Sequence, residues 1–125
     1  MGLFSGLLGN AGAVDVAEIE EELTAFLADG EQAEQAFKVL RDMIVFTNKR
    51  LILIDKQGLT GSKKEYMSIP YRSIVRFSAE TKGHFDLESE LSIWLSSTAE
   101  PVRKTFSKDG NIIAVQKALA TYACR

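Results

Sequence analysis

Met43-Ile44-Val45-Phe46-Thr47-Asn48-Lys49-Arg50-Leu51-Ile52-Leu53-Ile54-Asp55 is the stretch that decides the fold of this 125-residue chain. A run of apolar and β-branched residues, Met43 to Thr47, meets a polar pair, Asn48-Lys49. A continuous apolar run, Leu51 to Ile54, follows and ends at Asp55. Runs this short, bounded by turn residues and rich in Ile and Val, read as two strands of an antiparallel hairpin.

The same period extends outward. Upstream, Ala36 to Leu40 reads as a strand and Arg41-Asp42 as a tight break. Downstream, Lys56-Gln57-Gly58 is a turn, and residues 58–64 form a Gly/Thr/Ser/Lys loop. Glu65 to Ile69 alternates briefly, and Pro70 ends it or marks a sheet edge. Ser73 to Thr81 sets Val75, Phe77 and Ala79 on one face. After a Gly83-His84 turn, residues 86–96 alternate, with Leu87, Leu91, Ile93 and Leu95 on one side. Asp86, Glu88, Glu90, Ser92 and Trp94 take the other side. Pro101 to Phe106 is the last strand.

Helices flank these strands. Asp15 with Glu18 three residues on resembles a capping box, and Val16, Ile19, Leu23, Phe26 and Leu27 make one apolar stripe. Gly30 is a natural stop, so the expected helix spans residues 15–29. Ile112, Ile113, Val115, Leu119 and Tyr122 give a second helix, over residues 110–123, a broad apolar face. The expectation is a mainly β domain over residues 15–125. Seven strands form a strongly bent antiparallel sheet or partly open barrel, capped by the C-terminal helix and carrying an extra N-terminal helix. Residues 1–14 hold Leu3, Phe4, Leu7 and Leu8 among four glycines. They read as a flexible or self-packed terminus, or as a short docking segment for a membrane or partner.

Composition narrows the function classes. With 46% hydrophobic and 26% charged residues the chain is ordinary globular material, not disordered or collagenous. No apolar run approaches the ~18–20 residues of a membrane-spanning helix. The lone cysteine, Cys124, makes no internal disulfide or cysteine zinc cage. The net charge of −2 conceals segregation. Residues 15–34 carry eight acids and no base, while residues 35–82 carry ten bases and four acids. An acidic helix lying on a mildly basic sheet accounts for this.

The sequence offers no catalytic set. His84 is the only histidine, and it sits in a turn. No GxSxG occurs, and the Gly58 to Lys63 stretch lacks the spacing of a phosphate-binding loop. Asp86, Glu88 and Glu90 share a strand face, which reads as solvated rather than as a metal site. No enzyme activity, cofactor or metal is expected. Nucleic acid is not expected either, because the chain is acidic overall and no aromatics alternate with its bases. Lys49, Arg50, Lys56, Lys63 and Lys64 cluster at turns, and a meander could gather them into an anion-binding rim. Trp94 breaks the polar face of its strand, so it is either covered by the N-terminal helix or part of a subunit contact. With Tyr66 and Phe26 it makes up the candidate interface.

The run Thr47 to Asp55 followed by Gln57-Gly58 resembles the bacterial pleckstrin-homology (PH-like) domain family. So do Ser68 to Ile74, Phe77 to Thr81 and Glu90 to Trp94. The resemblance covers roughly residues 34–122. It implies a PH-like barrel that binds or scaffolds, assembled as a ring-like homo-oligomer through sheet edges and the N-terminal helix. Eukaryotic relatives of the fold often hold phosphoinositides with bases around a long loop between the first two strands. Here that connection is only Arg41-Asp42, flanked by Lys38, too tight to cradle an inositol phosphate. The expected function is therefore a cytoplasmic, self-assembling module for protein partners. The alternative is a peripheral binder of anionic membrane that uses the basic rim and the apolar N-terminus.

Overall fold

The structure, a computed structural model, describes residues 15–40, 42–59, 62–81, 88–107 and 111–124. Helix α1 (Val16–Leu23) is followed by strands β1 (Ala33–Val39), β2 (Asp42–Thr47), β3 (Arg50–Gln57) and β4 (Lys63–Pro70). A 3-10 turn (Tyr71–Ser73) leads to β5 (Ile74–Thr81), β6 (Ser89–Leu95), β7 (Val102–Phe106) and helix α2 (Ile112–Ala123). The strands form two antiparallel sheets, β1-β2-β3-β4 and β5-β6-β7, rather than one closed barrel.

The hairpin β2–β3 is the heart of the molecule. Val45 faces Ile52 and Phe46 faces Leu51 across the pair. One face of the hairpin (Ile44, Phe46, Leu51, Leu53) joins the main core. There it meets Leu91 and Ile93 of β6, Phe106 of β7, and Val115 and Leu119 of α2. The opposite face (Met43, Val45, Ile52, Ile54) lies under Val16, Ile19 and Leu23 of α1. Burial on both faces is why Leu51 to Ile54 is continuously apolar instead of alternating. Caps close both helices: the Asp15 carboxylate accepts from the Ala17 N–H at 3.0 Å, and the Asn111 amide oxygen accepts from the Ala114 N–H at 3.3 Å.

The structure corrects several boundaries. Helix α1 ends at Leu23 rather than at residue 29. The Thr24 hydroxyl donates back to the Glu20 carbonyl, and the Phe26 N–H bonds the Leu23 carbonyl in a tighter turn. The Ala28 N–H is then taken by the Glu31 carboxylate at 2.8 Å, and Gly30 reverses the chain at φ +77°. Strand β4 starts at Lys63, inside the expected loop, because Gln57 pairs with Lys63 and Lys56 with Lys64. In β5 a register shift between Ile74 and Arg76 makes Val75 the extra residue of a bulge. Val75 is 58% exposed as a result, while Ile74, Phe77 and Ala79 turn to the core. His84, Asp86, Leu87 and the apolar residues of 1–14 lie outside the described residues.

Candidate functional site

Consecutive turns of a meander fall at opposite ends of the sheet, and this divides the expected basic rim. Lys49 and Arg50 occupy the β2–β3 end, where Arg50 pairs with Pro70. Lys56, Lys63 and Lys64 occupy the other end, a whole strand length away. Two of the five also have partners: Arg50 is held by Glu31 and Lys64 by Glu22.

The β2–β3 end is the more elaborate. Glu31, whose side chain is 1% exposed, accepts from Arg50 Nε at 2.9 Å and from Arg50 Nη2 at 3.0 Å. It also accepts from the Thr47 hydroxyl at 2.6 Å. Burial pushes the Glu31 carboxyl up, but Arg50, the Ala28 N–H and the Thr47 hydroxyl outweigh it, and the net shift is below the ordinary value. Arg50 also donates to the Phe26 carbonyl at 2.7 Å and to the Ser68 hydroxyl at 2.8 Å. One guanidinium thus ties the segment after α1 to β4. Asn48 ties the turn itself, accepting from the Gln32 N–H at 2.7 Å and donating to the Gly30 carbonyl at 3.0 Å. Tyr71 donates to the Thr47 carbonyl at 2.6 Å and stacks on Tyr122 at 5.2 Å.

Two cavities open beside this knot, and Lys49 lines both. One, of about 470 Å³, has Phe26, Ala28, Ser68 and Pro70 on its walls and is mainly apolar. The other, of about 280 Å³, is bounded by Asn48, Tyr71, Arg72, Tyr122 and Ala123.

The expected interface residues do not form one patch. Phe26 stacks on Tyr66 with ring centroids 4.6 Å apart. The Tyr66 hydroxyl and Lys64 Nζ meet the same oxygen of Glu22, at 3.1 and 3.0 Å. Trp94 lies on the second sheet, half-buried, with the Arg76 guanidinium 4.4 Å above its ring. Helix α1 does not cover it, because the apolar outer face of the first sheet holds the helix there.

The opposite end carries a charge cluster that sequence reasoning missed. Asp42 and Asp55 face each other across β2 and β3, and Lys104 of β7 reaches them at 3.6 and 3.7 Å. Burial and the neighbouring Asp55 hold the Asp42 carboxyl above its usual range, despite the Lys56 N–H and Lys104. The Lys104 side chain is only 13% exposed and joins the two sheets across the β1–β7 seam. Lys104→Met should lower unfolding free energy by about 1–2 kcal/mol. Adding Asp42→Asn should recover part of that loss, since it removes one of two facing carboxylates. Urea titration of the three proteins checks this.

Among the described residues no group of three His, Cys, Asp or Glu side chains is placed to hold a metal ion, and no helix is long and apolar enough to cross a membrane. Arg72 and Lys104 carried no signal of their own in the sequence. Only the folded turn and the sheet seam give them their positions.

Comparison with known proteins places this geometry among relatives. The family model for the bacterial PH domain matches residues 2–123. The chain is 58% identical over 121 residues to the uncharacterized protein YjqA of Bacillus subtilis (strain 168), covering 96% of this chain and 97% of that protein. The uncharacterized protein YozO of the same organism is 33% identical over 104 residues, covering 83% of this chain and 89% of that one. Among solved structures, a pleckstrin homology domain from Shewanella amazonensis SB2B superposes with a TM-score of 0.85 at 46% identity, over 97% of this chain and 98% of that one. A protein with a pleckstrin-homology domain from Shewanella loihica PV-4 gives 0.78, also at 46% identity, over 91% of this chain and 97% of that one.

Proposed function

We propose that this chain, which belongs to the bacterial PH domain family, is a non-enzymatic cytoplasmic interaction module that self-associates through its free sheet edges and presents its remaining surface to protein partners. The observation that carries this reading is the split of the strands into two sheets. Among the described residues it leaves β4 paired only with β3 and β5 paired only with β6. Both are eight-residue strands, long enough to template another strand. Each carries an exposed apolar side chain, Met67 on β4 and Val75 on β5. Trp94 and Arg76 lie beside Val75, and these residue types anchor protein contacts more often than most. Pairing β4 of one copy with β5 of the next is a head-to-tail contact. It closes into a ring when the rotation between copies divides a full turn.

Light scattering on the full chain tests the reading. The expected mass is a multiple of the chain mass. The double variant Met67→Lys/Val75→Lys places a charge on each edge and should shift the population to monomer, with the circular dichroism spectrum unchanged. A chain that stays monomeric at every concentration overturns the reading, as does an assembly that ignores the double variant. Salt-sensitive flotation of the monomer with anionic vesicles would favour peripheral membrane binding instead.

A further inference from the structure

The two cavities at the β2–β3 end have complementary characters, and Lys49 is their common wall. We infer that together they form a binding site for an extended peptide that carries an apolar side chain next to a carboxylate. This rests on the reading of the chain as a protein-interaction module and names the chemistry of one partner.

Charge supplies the first argument. Arg50 is neutralised by Glu31, yet Lys49 and Arg72 have no carboxylate partner among the described residues. The nearby Glu34 accepts the Tyr122 hydroxyl instead. Two cations therefore border the smaller cavity, one a planar fork suited to a carboxylate and the other a point charge. The larger cavity offers the ring of Phe26, Ala28 and Pro70 to an apolar group. A small anion alone leaves that cavity empty, and a purely apolar ligand leaves the cations unanswered. Neighbouring residues of one extended peptide satisfy both.

Rigidity supplies the second argument. Asn48 pins the turn to Gly30 and Gln32, Tyr71 is fixed to the Thr47 carbonyl, and Arg50 fixes the segment bearing Phe26. Walls already held in place keep the ordering cost of binding small. The β4 edge runs into the larger cavity at Ser68 and Pro70. Proline has no N–H to donate, so side-chain contacts take over there from ladder pairing. Lys49 and Arg72 also lie near the carbonyl end of α2, where cations stabilise a helix. That role appears in thermal stability and is blind to the charge of an added peptide.

The test is an NMR titration of the full-length, isotope-labelled chain with an octapeptide alternating leucine and glutamate. A leucine–lysine octapeptide is the control. Shifts are expected at Phe26, Lys49, Tyr71 and Arg72, with affinity at least tenfold weaker for the control and for Lys49→Glu/Arg72→Glu. Both substituted residues are exposed, and a circular dichroism spectrum and amide shifts away from the site that match those of the parent chain show that the fold is kept, whatever the change in melting temperature. Equal binding of the two peptides, indifference to the double variant, or no binding overturns the inference. Binding to anionic vesicles through the same residues, without peptide binding, assigns the site to lipid and also overturns it. A failed titration with an intact assembly sinks only this site. A monomeric chain that still binds the peptide sinks only the edge-pairing reading.

Discussion

Arg50→Met is expected to lower the unfolding free energy by about 3–5 kcal/mol, the usual cost of leaving a buried charge without its partner. The guanidinium makes two bonds to Glu31, one to the Phe26 carbonyl and one to the Ser68 hydroxyl. Its loss strands a carboxylate whose side chain is 1% exposed. The double variant Arg50→Met/Glu31→Gln should recover a substantial part, because the uncompensated charge disappears with it. Urea unfolding at one protein concentration, followed by Trp94 fluorescence, measures all three. The pH dependence has a definite sign. The folded-state pKa of Glu31 lies below its ordinary value of 4.5. Its ionised form therefore adds stability in full above that value, and the contribution is lost as pH falls through the lower folded value. In Arg50→Met this acid-side loss should flatten. If the two proteins show the same loss of stability below 4.5, Glu31 is not the group that reports it.

Phe46→Ala is expected to cost about 3–5 kcal/mol through the cavity it leaves. Phe46 is fully buried, edge-on to Phe37 at 6.1 Å and stacked on Tyr122 at 5.4 Å. Tyr122 in turn stacks on Tyr71, so Phe46 is one of the two inner rings of a column that runs from β1 to the 3-10 turn. Phe46→Leu keeps most of the volume and should cost about 1–2 kcal/mol. A domain of this size has roughly 5–15 kcal/mol in total, so the alanine variant should melt well below the leucine variant. Similar melting temperatures for the two would show that the column relaxes around the void.

The two central strands were readable because every cue agreed. The apolar runs, the polar Asn48-Lys49 pair and the terminating Asp55 all indicated one hairpin, and residues 43–54 form it. The end of α1 was hidden because the local cues disagreed with the tertiary ones. Leu27 continued the stripe and Gly30 supplied a stop, yet the Glu31 carboxylate captures the Ala28 N–H and Phe26 leaves to stack on Tyr66. The bulge at Val75 was hidden because one added residue is invisible in a pattern of alternation. The basic rim was divided by topology, and although the charge segregation indicated an acidic helix on a basic sheet, which side chains pair could not be read. Arg50 finds Glu31 19 residues away and Lys64 finds Glu22 42 residues away. Such pairings exist only once the helix is laid on the sheet.

A strand with one wet face resists sliding, because a slip of a single residue drives polar groups inward. The hairpin β2–β3 is apolar on both faces, so polarity gives it no such brake. The alignment is set by its short turn: the Thr47 hydroxyl receives the N–H groups of Lys49 and Arg50, while Asn48 is moored to Gly30 and Gln32. The turn is the ruler of the hairpin, and an inserted or deleted residue there would shift one of its strands against the other in both cores at once.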